Sequence, residues 1–373
     1  MFRAPTARNV TAWGNAPGTR NTVTALRRYH FAPSALYGLL DMSPGALPQA
    51  VTFRAFGAFK PMAQRLSNFM FQAFIKALSV GLLLITSVPA RAQTSQGVKQ
   101  AALDQLVRAE VSQFKGKVSL YAKNLDTGAT YELGGDDRVS TASTIKIAVM
   151  VEAFARVNEG KAKWTDDLVL TKEKKVGGSG ILGEFGDGLH LTFRDAVNLM
   201  MIMSDNTATN LVIDVLTADA VNGRMESLGF KETRLMRRVF GGGESLEGKK
   251  EESKRFGLGR TTPHEMVALL EKLERGEVVS AAASKEMLEL MKREQGTNGL
   301  WREDWRLPKA TKSGALDALR SNIGIIYHPR GRIAIAITCS EMPEPNWTVD
   351  NPALLLMSHL SEILLDGLGK PSN

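Results

Sequence analysis

Strand-like alternation in this chain is concentrated in two stretches that lie far apart, and that separation restricts what the chain can fold into. The first, KVSLYAKNLDTGATYELGG from Lys117, reads as a hairpin turning at Asp126-Thr127-Gly128. The second comprises segments 310–316, 322–328 and 332–339. The interval 143–300 reads as mostly helical, broken by Gly-rich loops at 177–188 and 241–248. Helical patterns also flank the strand groups. At 96–114, Val98, Ala102, Leu106, Val107, Val111 and Phe114 are spaced as one apolar face, and a last helix is predicted over 351–367. This order predicts an α/β (α+β) sandwich. Its antiparallel sheet is assembled from both ends of the chain and covered by terminal helices, with an all-helical subdomain on the other side.

The net charge of +8 is unevenly placed. Residues 1–92 hold ten of the 47 Lys and Arg and a single acid, Asp41, whereas the remaining 37 basic and 38 acidic residues balance. The globular part therefore has no electrostatic case for binding nucleic acid or a membrane surface. The basic leader reads as export machinery instead. Lys76 precedes the apolar run Ala77–Val88, which is too short to span a bilayer comfortably. Pro89-Ala90-Arg91-Ala92 then puts small residues where a signal peptidase inspects the chain. Residues 62–92 read as a signal peptide cleaved after Ala92, and 93–373 as the exported domain, periplasmic or secreted, without stable membrane insertion. Residues 1–61 read as a mis-assigned start or a disordered leader, Met62 or Met70 being the better initiator.

Cys339 is the sole cysteine, so no disulfide framework exists and the domain must stand on its own core. Within an apolar strand it reads as packing rather than as a nucleophile. His190, His264, His328 and His359 are scattered singly, and no His/Cys/Asp/Glu group has metal-ligand spacing. Neither a metal nor another cofactor is expected, and the domain is expected to act as a monomer.

Three short segments carry the chemistry. In Ser143-Thr144-Ile145-Lys146 the serine and lysine, three apart, share one helical face. Ile145 before Lys146 and IAVMV after it make this helix apolar on nearly every side, so Lys146 should be buried. Desolvation favours a neutral lysine, and a neutral lysine can take the proton of a seryl hydroxyl. A second Ser-x-x-Lys, Ser112 to Lys115, runs into Gly116-Lys117 with no buried helix and reads as a chance match. Ser204-Asp205-Asn206 follows the Met-rich segment Leu199–Met203, and taken alone it reads as a helix cap or turn. Lys312-Ser313-Gly314-Ala315 opens a strand in which Gly314 permits close backbone approach.

Taken together, the order Ser-x-x-Lys, Ser-Asp-Asn, Lys-Ser-Gly resembles that of class A β-lactamases and their penicillin-binding relatives. The separations fit, at 61 residues from Ser143 to Ser204 and 108 from Ser204 to Lys312. So do Thr207-Ala208, Asn210-Leu211, Thr261-Thr262-Pro263 at a helix start, and Leu307-Pro308 ahead of Lys312. The likeness covers roughly 96–368 and implies a β-lactamase/transpeptidase-like fold. It implies Ser143 as acylated nucleophile, Lys146 as base, and Ser204 as proton relay to the leaving nitrogen. Asn206 would hold the substrate's amide side chain. Lys312 and Ser313 would bind its carboxylate beside Gly314, and the N–H groups of Ser143 and Ala315 would form the oxyanion hole. Arg320 lies near where the family often places a carboxylate-supporting arginine. The implied substrate is a small β-lactam or an acyl-D-Ala-type compound.

The resemblance fails at one place. The family deacylates with a glutamate in a Glu-x-x-Leu-Asn pattern, and here the region reads TRLMRRVFGGGESLEGKKEES. One register puts the glutamate position at Val239 or Phe240; the other, aligned on Leu246, puts it at Gly243. Glu244 and Glu247 are the acids close enough to substitute, unless both are solvated loop residues. The expectation is a β-lactam-opening serine hydrolase that deacylates slowly. Its alternatives are a D-Ala peptidase, esterase or amidase of the same fold, and a β-lactam or cell-wall-fragment sensor that stays acylated.

Overall fold

The computed structural model describes residues 90–370 apart from 297 and 305. The expected leader 1–61 and the expected signal segment up to residue 89 lie outside the described residues. In chain order the elements are α1 (Ala90–Ser112), β1 (Lys117–Asn124), β2 (Thr130–Leu133), β3 (Val139–Ser140), a 3-10 turn Ala142–Ile145 and α2 (Lys146–Asn158). Then come β4 (Asp167–Val169), β5 (His190–Thr192), α3 (Phe193–Ile202), α4 (Asn206–Leu216), α5 (Ala218–Ser227) and β6 (Arg234–Leu235). The remainder is β7 (Gly259–Thr261), α6 (Pro263–Glu274), α7 (Ala281–Met291), β8 (Lys309–Leu316), β9 (Leu319–His328), β10 (Gly331–Ser340) and α8 (Pro352–Leu368).

The main sheet runs β2-β1-β10-β9-β8, antiparallel throughout. The first long strand pairs with the last, from Lys117 opposite Ser340 to Asn124 opposite Ile333, so the sheet is built from both ends as the sequence predicts. Its two faces differ in residue size. Ile333, Ile335, Ile337 and Cys339 alternate onto one face and pack with Leu356, Leu360 and Leu364 of α8 and with Val107 of α1. The intervening Ala334 and Ala336 belong to the other core, with Met266, Val267 and Leu270 of α6. Small side chains there let that helix lie close to the strand. Cys339 is buried and unpaired, and burial alone pushes its thiol pKa up, which suits packing and not chemistry.

The helical half is organised around α2, whose residues Lys146 to Ala155 are all buried. Met200 and Met201 of α3, Leu211 and Val212 of α4, and Met287 of α7 join its core, so the methionines are packing residues. Local signals set the helix starts. Thr192 and Asp195 form a reciprocal capping box on α3, and Thr262 caps α6 with Pro263 in its first turn.

The expected apolar face of α1 needs correction. Val98 and Leu106 are 69% and 56% exposed, whereas Leu103 and Val107 are buried. The helix is only weakly amphipathic, and its packing against α8 selects which leucine turns inward. Two substitutions of identical chemistry test that rotation. Leu103→Ala should lower unfolding free energy by about 2–5 kcal/mol, and Leu106→Ala should stay within about 0.5 kcal/mol of the parent. Urea denaturation midpoints read the difference.

Candidate active site

Ser143 sits in the 3-10 turn that leads into α2, and the backbone N–H of Lys146 donates to the carbonyls of Ser143 and Thr144. Ala142, immediately before the serine, is in left-handed conformation at φ 46°, which strains a residue with a Cβ. The serine is half-buried and the lysine fully buried. Burial, and next the positive charge of Lys312, hold the Lys146 ammonium well below the ordinary lysine range, against the opposing pull of Asp205 and Glu294.

Lys146 Nζ lies 2.7 Å from Ser204 O, 3.1 Å from Asn206 Oδ1 and 3.3 Å from Ser204 Oγ. The two carbonyl oxygens only accept, so they take two N–H bonds. The third direction faces a hydroxyl, which accepts from a charged lysine or donates to the lone pair of a neutral one. Among the described residues no hydrogen bond ends on Ser143 Oγ. The Ser143–Lys146 pairing expected from their spacing is thus shared placement around one turn, not a formed bond; such contacts often tighten only with substrate bound.

The Ser204-Asp205-Asn206 turn is held by the loop 176–182. Ser204 is left-handed at φ 53°. Asp205 caps α4 by accepting from Ala208 N with Oδ1, and its Oδ2 accepts from the N–H groups of Ile181 and Leu182, both at 2.7 Å. Asn206 donates Nδ2 to Gly177 O, which fixes its amide so that Oδ1 points at Lys146. A Cβ on Gly178, which has φ +86°, would stand 2.8 Å from that Nδ2. The Gly-rich character at 177–180, read from sequence only as a loop, is therefore what lets the loop clasp the turn.

Strand β8 passes close to Ser143. A Cβ on Gly314 would lie 2.7 Å from Thr141 O and 3.0 Å from Ser143 N, so only glycine fits and the backbone entering Ala315 runs beside the Ser143 turn. Lys312 is fully buried and donates to Glu294 Oε1 at 2.6 Å and to Ser313 O at 3.0 Å. Glu294 Oε1 also accepts from Ser313 N and Ser313 Oγ, both at 2.7 Å, and Oε2 accepts from Thr311 Oγ1 at 2.9 Å. Sequence reading misses Glu294. In KREQG it resembles any loop acid, and only the folded placement of α7's C-terminal end against β8 brings it in. Arg320 does not support this cluster. It is buried opposite Ala315, donates to the carbonyls of Leu316, Leu319 and Asn346, and stacks on Trp347.

In the loop after β6, Asn210 grips Val239 twice. Its Nδ2 donates to Val239 O at 3.2 Å, and its Oδ1 accepts from Val239 N at 2.8 Å. Asn206 and Asn210 are four apart on α4, so Val239 is held about one helical turn from the asparagine that faces Lys146, and it is apolar. Glu244 is exposed and accepts from Gly242 N. Glu247 is tied to Lys250, Ser253 and Arg260, and the Lys250 bond leads the causes that lower its pKa. Glu173 and Asp214 line the same cavity of about 140 Å³ as Val239 and Asn210. Ser112, of the second Ser-x-x-Lys, simply donates to Ala109 O.

A buried lysine next to a half-exposed serine, a second serine within reach of its amine, and a glycine-opened strand edge beside Ser143 are an arrangement suited to serine acyl transfer. The profile of the beta-lactamase enzyme family matches residues 101–368, and the chain belongs to that family. It is similar to beta-lactamase AER-1 of Aeromonas hydrophila, 27% identical over 259 residues covering 68% of this chain and 83% of the relative. A beta-lactamase from Sphaerobacter thermophilus superposes with TM-score 0.62 at 28% identity, over 73% of this chain and 97% of that one. A point mutant of PBP-A, solved as an acyl-enzyme complex with penicillin G, superposes with TM-score 0.60 at 25% identity, over 72% and 96% of the two chains.

The clasp makes a sharp comparison. Gly178→Ala forces a left-handed alanine, costing about 1–2 kcal/mol, and pushes Asn206 off Lys146. A displacement of that kind should slow acylation by roughly tenfold to a hundredfold. At Gly177 an added Cβ meets nothing within 4 Å, so Gly177→Ala should acylate at the parent rate. Stopped-flow acylation with a chromogenic cephalosporin separates the two.

Proposed function

We propose that this chain opens β-lactam rings through a covalent acyl-enzyme on Ser143. The observation that carries the reading is the amine of Lys146, fully buried, held toward its neutral form and committed to two acceptor-only partners. Ser143 Oγ attacks the lactam carbonyl and its proton passes to Lys146, directly or through a water. Ser204, 3.3 Å from Lys146 Nζ, carries a proton on to the leaving nitrogen. The N–H groups of Ser143 and Ala315 receive the oxyanion, and Asn206 orients the amide side chain of the substrate. Acting on a small molecule, the site calls for neither metal nor nucleic acid. Among the described residues no helix is long and apolar enough to cross a membrane. The domain works outside the cytoplasm, with Gln93 as its mature N-terminus, which lies in the first turn of α1.

The nucleophile is tested by labelling. Ser143→Ala should abolish covalent attachment of a fluorescent penicillin, and Ser112→Ala should leave it intact. Loss of label in the second variant alone would place the site elsewhere.

Turnover is tested by the lifetime of the adduct. With Val239 in place of a carboxylate, the attacking water lacks its base, and the penicilloyl-enzyme should outlive that of a glutamate-bearing relative by about a hundred- to ten-thousandfold. Val239→Glu should shorten it within that range, and Glu244→Gln should leave it unchanged. Rapid decay in the parent that disappears in Glu244→Gln would make Glu244 the base instead. Time-resolved intact mass measures each case.

A further inference from the structure

The subsite made by Lys312 and Ser313 already contains a carboxylate. Glu294, its side chain almost wholly buried, takes the only hydroxyl proton of Ser313 and one of the three N–H groups of Lys312. A second N–H of Lys312 goes to Ser313 O, leaving one. The charges cancel as well. The Lys312 ammonium stands against the Glu294 carboxylate 2.6 Å away, Lys146 is held toward neutrality, and Asp205 adds a further negative charge near Lys146. Arg320 makes no bond to this cluster, since its guanidinium is spent on the carbonyls of Leu316, Leu319 and Asn346. A substrate carboxylate arriving at Ser313 would meet an oxygen lone pair instead of a hydroxyl proton, and a like charge behind it.

We infer that Glu294 is a specificity-determining residue that occupies the Lys312–Ser313 subsite from within and shifts preference toward substrates lacking a carboxylate beside the scissile amide. The inference rests on the reading of Ser143 as the acylated residue. Glu294 exerts this effect through Lys312 and Ser313 and need not touch the substrate itself. Replacing its charge while keeping an acceptor would return the Lys312 charge to an incoming anion. Charge-assisted hydrogen bonds differ from neutral ones by enough to change relative rates between about ten- and a hundredfold.

The test compares benzylpenicillin with its methyl ester, which differ only in that carboxylate, on the full chain. The parent should favour the acid by less than about tenfold in kcat/KM, or should favour the ester. Glu294→Gln should move the ratio toward the acid by about ten- to a hundredfold, mostly through KM. A purely structural role for Glu294 would lower both rates together and leave the ratio alone. A parent that prefers the acid by about a hundredfold or more, or a folded Gln variant with an unchanged ratio, overturns the inference. Where the Gln variant does not fold, the ratio in the parent decides. Intact mass is read alongside: if neither compound adds to Ser143, the nucleophile assignment falls and this inference with it. An ester adduct on Ser143 with a strong acid preference overturns only the inference.

Discussion

The structure depends on keeping one amine out of water. Lys146 has no exposed surface, and removing its charge from solvent would be prohibitive unless the charge is given up or matched. The fold leans toward the first course, since burial holds the Lys146 pKa well below the ordinary lysine range. Lys146 opens a helix with ten consecutive buried residues, so water has no access from the helix side, and nearby Lys312 further disfavours a second positive charge. The acceptors arranged around Nζ belong to a turn that is itself held by a glycine loop. Residues as distant in sequence as Gly177, Ser204 and Lys312 are thereby joined to the state of a single proton.

Much of this is legible in the sequence, and the reasons are local. Alternation at 117–133 and 310–340 marks the strands, and their position at both ends of the domain implies one sheet, which the structure joins through β1 and β10. The apolar surroundings of Lys146 announce its burial, which the structure shows. What stays hidden depends on contacts without local pattern. The face of α1 is misread because its apolar residues are spaced loosely enough to permit two rotations, and α8 chooses between them. Arg320 is placed by sequence proximity, but strand register turns it toward carbonyls and Trp347. Glu294 gives no signal because a single acid in a polar loop is the commonest of surface features. Its significance arises only because α7 ends beside β8.

Asp205 shows how a catalytic-looking carboxylate can be structural. It lies between two site residues, yet both its oxygens are consumed by backbone N–H groups, at the start of α4 and in the loop 181–182. That arrangement accounts for the strained φ of Ser204. The chain reverses sharply there, and the carboxylate that stabilises the reversal also anchors the neighbouring loop. Asn210, one turn further along α4, repeats the device by gripping both polar backbone atoms of Val239. Helix α4 therefore organises both sides of the site through side chain to backbone bonds, and these do not depend on what side chain the gripped residue carries.

That independence explains how the two halves of a hydrolytic cycle can separate. On the proposed reading acylation draws on Ser143, Lys146, Ser204 and the edge of β8, all fixed by packing and by backbone clasps. Deacylation needs one more group, a base for water, and the position proposed for it lies on a loop whose backbone is held at Val239 whatever its side chain. A loop position of this kind can carry a carboxylate or an apolar side chain without disturbing the rest, because the clasp reads only N–H and C=O. The anion subsite shows the reverse case. There a carboxylate is present, and on the proposed reading Glu294 occupies the same donors a substrate would use. On the proposed reading an acylating core stands beside two positions, Val239 and Glu294, at each of which one side chain decides what the site can do.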